Sequence, residues 1–426
     1  MAARITCGNH WGLPLYVEYA EMAPSSQRTG TGRVPRAGRE PRTTVLVASD
    51  WAPIRAFDSL VGHDPESAYG DLLPVLRQAD LRVVNCECAL TTSAEPVWKS
   101  GAVFKGEPGH ARGLTAVPFD VACLGNNHVL DYGVRGLRET LRLLTRLGIQ
   151  TVGAGLTEDH AHAPLTMVRN GLAIHLVNVS EGEDLTASRG GPGVFGWDIP
   201  RAVATIRGRK KAGGVVIAIA HCGLEYVPYP PPYVVSAFRA MIDAGADAVV
   251  GHHPHVPQGI EWRDGRPIVY SLGNFLFYQN TELFHRKTGF CVSLDFDGKR
   301  LAGLELHPYR IGDNGLRRLD AHEHAAFRKT MAVLSKPFRT ASGPDRAWQA
   351  YLAHYGAAGF DAEVSGILDR LKTEPRKAAA MFRNRITTMQ HVELWRDHLT
   401  ATMAGGPTGY PREASRMVEE YFTRTS

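Results

Sequence analysis

What most constrains this chain is a unit that recurs five times: a short apolar run ending on a group of chemistry-bearing residues. The clearest case is the run 246–250, followed by Gly251, His252, His253, Pro254 and His255, with three imidazoles within four residues. The others are Ser49-Asp50 after 45–48, Asn85-Cys86-Glu87 after 81–84, Gly125-Asn126-Asn127-His128 after 121–124, and His221-Cys222-Gly223 after 215–220. Such runs read as strands buried on both faces, which belong to parallel sheets covered by helices. Ligands of open α/β sheets collect at the carboxyl ends of the strands. All five groups fall there, so they predict an α/β fold with one shared site.

Helical periodicity fills the gaps. Residues 69–78, 134–147 and 234–244 read as helices, the second with Leu137, Leu141 and Leu144 on one stripe and Gly148 as its stop. Residues 268–270 lead into Ser271, Leu272, Gly273 and Asn274, and strands near 291–296 and 301–306 close this part. After about residue 310 the pattern changes, and 322–334, 347–355, 360–371 and 375–398 read as helices. The expected organisation is a basic, flexible extension over 1–42, a catalytic domain over 43–310 and a helical appendage over 311–426.

Composition removes several function classes. The net charge is only +5 over 426 residues, and 38 of the 48 basic residues are arginine, several of them in the head at Arg28, Arg33, Arg36, Arg39 and Arg42. That argues against a nucleic-acid surface. No stretch reaches the ~20 apolar residues of a membrane span, and the start lacks the basic-then-apolar pattern of a secretory signal. Six cysteines, mostly inside strand-like runs, fit a reduced protein. The expectation is cytoplasmic, with no membrane and no nucleic-acid partner. Cys86-x-Cys88 has no second cysteine pair at zinc spacing.

The five groups carry metal-type chemistry. On extended backbone alternate residues point the same way, so His253 and His255 are the leading ligand candidates, with His252 supporting or packing. His221 ends a fully apolar strand and reads as a ligand. Asp50 is a cleft carboxylate or a turn residue. Glu87 suits a carboxylate shared by two cations, which two-metal sites hold ~3.5–4 Å apart. Asn127 offers a neutral oxygen, and His128 an acid or base near neutral pH. Asp131 either orients that imidazole or caps the following helix. Nitrogen and oxygen donors without thiolates favour Mn, Fe, Zn, Ni or Co.

The order Asp50, Asn85-x-Glu87, Asn126-Asn127-His128-x-x-Asp131-x-Gly133, His221-x-Gly223-x-Glu225-Tyr226, Gly251-His252-His253-Pro254-His255 and Ser271-Leu272-Gly273-Asn274 resembles the CapA-type branch of the calcineurin-like metallophosphoesterase superfamily. The resemblance covers roughly residues 44–310. It implies a four-layer α-β-β-α sandwich with two divalent metals between two sheets. It implies Asp50, Glu87, Asn127, His221, His253 and His255 as ligands, with His128 beside them. Ala52 stands where ordinary phosphoesterases have histidine, and Glu87 where they have the bridging aspartate.

The absence of an anchor and the arginine bias resemble the lasso-peptide epimerases within that family. This implies inversion of the α-carbon of a C-terminal Trp on a ribosomal precursor peptide. Two cations on the substrate carboxylate would stabilise the enediolate. His128 is the first acid/base candidate, then Glu225, Asp131 and Lys105. The segments 181–198 and 227–233 are candidates to line a peptide groove. The alternative is a two-metal hydrolase or transferase of CapA type acting on a γ-glutamyl amide or a phosphoester, with His128 protonating the leaving group. A scaffold that merely retains a metal site is the third reading.

Overall fold

The computed structural model describes residues 42–182 and 186–425. The expected extension over 1–42 lies outside these, apart from Arg42. Two large sheets dominate. The eight-stranded sheet runs in the order Gly315–Arg318, Arg300–Gly312, Thr288–Asp297, Arg42–Ala52, Leu81–Cys86, Val121–Cys123, Gln150–Val152, and Asn274–Phe277 also pairs with Arg42–Ala52. The six-stranded sheet runs Ile260–Arg263, Arg266–Val269, Ala248–His252, Val215–His221, Leu172–Ser180, Leu165–Arg169. The strands that carry the five groups pair in parallel within each sheet.

Alternation along the strands sets the layers. Val45, Val47, Val83, Val121, Leu176, Ile217, Ile219 and Val250 form one buried cluster between the sheets. Leu46, Ala48, Val84 and Ala122 face outward, against Phe57, Leu76, Leu114, Leu137 and Leu144 of the helices covering the first sheet. Val177, Val216, Ala218 and Val249 face Ile206, Phe238, Met241 and Ile242 of the helices Ile199–Ala212 and Pro232–Asp243. Each buried Val, Leu, Ile or Phe contributes about 1.5–3 kcal/mol, so a one-residue slip of register would expose a whole face. The result is the expected four-layer α-β-β-α sandwich.

Local departures have local causes. The helix expected over 69–78 is a 3-10 turn, Ser67–Leu72, followed by Leu73–Arg77 with Pro74 in its first turn. Strands Leu165–Arg169 and Leu172–Ser180 form a hairpin that the periodicity did not suggest, and so do Ile260–Arg263 and Arg266–Val269. Their turns are Asn170-Gly171 and Asp264-Gly265, each pair at positive φ (51° and 79°; 51° and 73°), the backbone that two-residue hairpins require. Strands continue to Arg318. The helices are Ala321–Ser335, Gly343–Thr373 (broken at Gly356), Pro375–Thr387, Met389–Met403 and Arg412–Thr423. The expected 375–398 helix is therefore two helices, separated at Thr388, whose backbone is extended (φ −86°, ψ 126°). No helix among the described residues is long and apolar enough to cross a membrane.

Candidate metal centre

The strand ends converge at one point between the sheets. Asp50, Glu87 and His221 are fully buried there. Three overlapping groups could each hold a cation: Asp50, Glu87 and His255; Glu87, His221 and His253; and Glu225, His253 and His255. Glu87 belongs to the first two, so it stands where a shared carboxylate is needed. Glu87 Oε1 lies 3.3 Å from His221 Nε2 and 3.8 Å from His255 Nε2. His221 Nε2 also lies 2.9 Å from Asn127 Oδ1 and 3.2 Å from His253 Nδ1. Asn127 thus joins the second group.

The fit to a cation can be read from atoms left without partners. Buried polar atoms are nearly always hydrogen-bonded. Here Asp50 Oδ2, both carboxylate oxygens of Glu87, and His252 Nε2 are buried and have none among the described residues. Burial, with Asp50 and Glu225 beside it, pushes the Glu87 carboxyl well above the usual carboxylate range. Burial and the neighbouring imidazoles hold His221 well below the ordinary histidine value, in the neutral form a ligand needs. Buried carboxylates and neutral imidazoles crowded at 3–4 Å, with orphaned oxygens, fit divalent cations.

His253 and His255 do not lie on the extended backbone that their alternate spacing predicts. The strand ends at His252, and both residues have positive φ, 95° and 57°. They do not point together by strand alternation; a strained turn around Pro254 brings them together, their ring centroids 5.9 Å apart. Asn274 holds His255 at two points: its Oδ1 accepts from Nδ1 at 2.8 Å and its Nδ2 donates to the His255 carbonyl at 3.2 Å. That leaves His255 Nε2 toward Glu87, the usual arrangement for an imidazole ligand. His252 Nδ1 lies 3.2 Å from Asp50 Oδ1, and Asn85 Nδ2 donates to the same oxygen at 2.8 Å.

Above this floor opens a cavity of about 500 Å³, lined among others by Asn127, His128, Glu225, His253 and His255. Asp131 accepts from His128 Nδ1 at 2.7 Å, so Nε2 is the ring nitrogen left for proton transfer. Burial, then Lys99, lowers the His128 pKa. The cap reading of Asp131 gives way to three contacts: His128, the Phe104 amide at 2.6 Å, and Lys99 Nζ at 2.9 Å. Lys105 is not brought to the site. Its ammonium bonds the Ser93 carbonyl at 3.1 Å and pairs with Glu107 at 2.9 Å. Lys99 takes the place beside the acid/base pair and also bonds the Asn127 carbonyl at 2.7 Å. Burial works against ionisation of Glu225, but His253, His255 and His128 hold its carboxyl below the usual value.

The helical region supplies the roof, with Tyr351, Glu363, Arg385, Gln390 and His391 on the cavity wall. Gln390 Oε1 lies 2.9 Å from His253 Nε2. Its backbone amide donates to Glu181, which also accepts from Gly223 N and Tyr233 OH. Burial raises the Glu181 carboxyl to about 7. Of the two expected groove segments, Glu181 and Gly182 do line the cavity, while 183–185 lie outside the described residues. The segment 227–233 is not on the cavity wall; Val227 and Tyr229 are buried in the core.

The fold and site together define a two-sheet sandwich with metal-type donors gathered at its strand ends. Residues 33–279 match the bacterial capsule synthesis protein PGA_cap family, and the chain belongs to it. The chain is 34% identical over 209 residues to the PGA biosynthesis protein CapA of Bacillus subtilis, covering 48% of this chain. It spans about half (51%) of that curated relative. It is 29% identical over 300 residues to a probable polyglutamine synthesis accessory protein of Mycobacterium tuberculosis, covering 65% of this chain and 79% of the relative. Among solved structures it is similar to the 5'-nucleotidase of Candida albicans SC5314, with 12% identity and a TM-score of 0.36 over 71% of this chain and 55% of that one.

Proposed function

We propose that this chain is a metal-dependent hydrolase or transferase of CapA type acting on a γ-glutamyl amide. The observation that carries the chemistry is Glu87, a buried carboxylate with two unpartnered oxygens shared by two donor groups beneath the cavity. The substrate class is supported by the relatives, whose names concern PGA biosynthesis and polyglutamine synthesis. Asp50, Glu87, Asn127, His221, His253 and His255 would hold the cations. Divalent ions there supply Lewis-acid polarisation of a carbonyl oxygen and a nucleophile from water at neutral pH.

This chain's own residues do the rest. Asp131 fixes the His128 ring through Nδ1, which leaves Nε2 to give a proton to the departing nitrogen. Against burial, His128 and then Lys99 hold the Asp131 carboxyl below its usual value, and Lys99 Nζ keeps it in place at 2.9 Å. Arg55 and Arg385 on the cavity wall complement substrate carboxylates. Inversion of a C-terminal α-carbon would use the same donors and the same His128–Asp131 pair, but none of the relatives compared carries that activity in its name.

The test is incubation of the full chain with Mn²⁺ in deuterated water, with γ-linked glutamyl peptides, a C-terminal Trp peptide and a phosphomonoester offered separately. Metal-dependent cleavage or transfer of the γ-amide supports the proposal. Deuterium gain at the Trp α-carbon without cleavage moves the assignment to epimerisation, and phosphate release moves it to a phosphoesterase.

A further inference from the structure

We infer that Gln390, in the helical roof, is a positioning residue that sets the tautomer of His253 and so decides which of its nitrogens faces the metal floor. A chain of contacts runs inward from the cavity wall to His253. A guanidinium can only donate. Arg385 Nη1 lies 3.0 Å from His391 Nε2, so that nitrogen accepts. The Gln390 side-chain NH₂ lies 3.2 Å from the same nitrogen, which turns its amide oxygen away from His391. That oxygen meets His253 Nε2 at 2.9 Å. An amide oxygen only accepts, so His253 carries its hydrogen on Nε2 and keeps the Nδ1 lone pair free. Nδ1 is the atom that faces His221 Nε2 at 3.2 Å, inside the Glu87, His221 and His253 group.

The backbone secures the same geometry. Gln390 N donates to Glu181, and Glu181 N donates to the His221 carbonyl at 2.9 Å. His221, Glu181, Gln390 and His253 thus close a ring of contacts. The break between Pro375–Thr387 and Met389–Met403 makes this possible, because a continuous helix would not present the Gln390 amide to Glu181. Gln390 lies beyond the residues that match the family, 33–279. The inference rests on His253 acting as a cation donor, as proposed above.

Full-length protein labelled with ¹⁵N-histidine and stripped of metal gives the tautomer directly, with His253 assigned by its loss in His253→Gln. We expect an Nε2–H signature in the parent, a mixed signature in Gln390→Met, and restoration in Gln390→Glu, which keeps an acceptor. Titration with Co²⁺ should show one binding event weakened about 10–100-fold in Gln390→Met, with recovery in Gln390→Glu. An Nδ1–H signature in the parent overturns the inference, as does parental Co²⁺ affinity in folded Gln390→Met. Should that variant not fold, Arg385→Met reads the same two signals, and no change in either overturns it. Failure of the parent to bind Co²⁺ sinks the metal reading instead, while the tautomer measured without metal still stands or falls by itself.

Discussion

Two carboxylates, one buried beneath the cavity and one on its wall, differ in their surroundings. Glu87, in the floor, is fully buried and neither oxygen has a hydrogen bond. Glu363, in the roof, has one oxygen accepting from Trp395 Nε1 at 2.9 Å, Arg385 Nε at 3.3 Å and Tyr355 OH at 3.3 Å. The floor is an unfinished polar network, which would be costly unless something else completes it. In the roof the Glu363 oxygen is completed by the roof's own residues, and the atoms left without a partner there, among the described residues, are imidazole nitrogens, His391 Nδ1 and His398 Nδ1, not carboxylate oxygens. The difference separates a surface built to hold cations from one built to hold shape. The floor falls within the matched family residues and the roof outside them.

The largest break in that comparison is Glu87→Gln. Removing the shared charge should take activity to background and lower metal content, read by elemental analysis; a variant with full metal content would refute the shared carboxylate. Next is Lys99→Met, which strands the buried Asp131 charge. Losing one partner of a buried pair costs about 3–5 kcal/mol, to be measured by urea denaturation, and metal content should stay at the parental level. Glu363→Gln should cost less, about 1–3 kcal/mol for imperfectly paired donors. It should raise KM more than it lowers kcat, since the roof shapes the cavity and does not hold cations. An equal fall in metal content would erase the distinction between floor and roof. The smallest effect is expected at Trp98, 60% exposed with Arg376 stacked 4.3 Å from its ring centre. Trp98→Ala should cost about 0.5–1 kcal/mol, with unchanged metal binding.

The floor was legible because its signals are local. Continuously apolar runs end on polar groups, and the structure brings Asp50, Glu87, Asn127, His221, His253 and His255 to one point between the sheets. Even so, the stated reason for His253 and His255 failed, because positive φ and not extended backbone brings them together. Both hairpins had their Asn-Gly and Asp-Gly signals in plain view. Lys99 and Lys105 lie in an aperiodic stretch where nothing local tells the buried ammonium at the site from the half-buried one away from it. The roof was out of reach: the helix break at Thr388 carries no Gly or Pro, and the Gln390–His253 contact spans 137 residues.

That span also has a meaning in time. The donor set and its Asn274 clamp are present once residue 274 has been made, while Gln390 follows 116 residues later. At about 5–20 residues per second of synthesis, the donor residues are made roughly 6–23 s before Gln390. For that interval the donor residues exist on the growing chain without the residue that fixes the His253 ring from above.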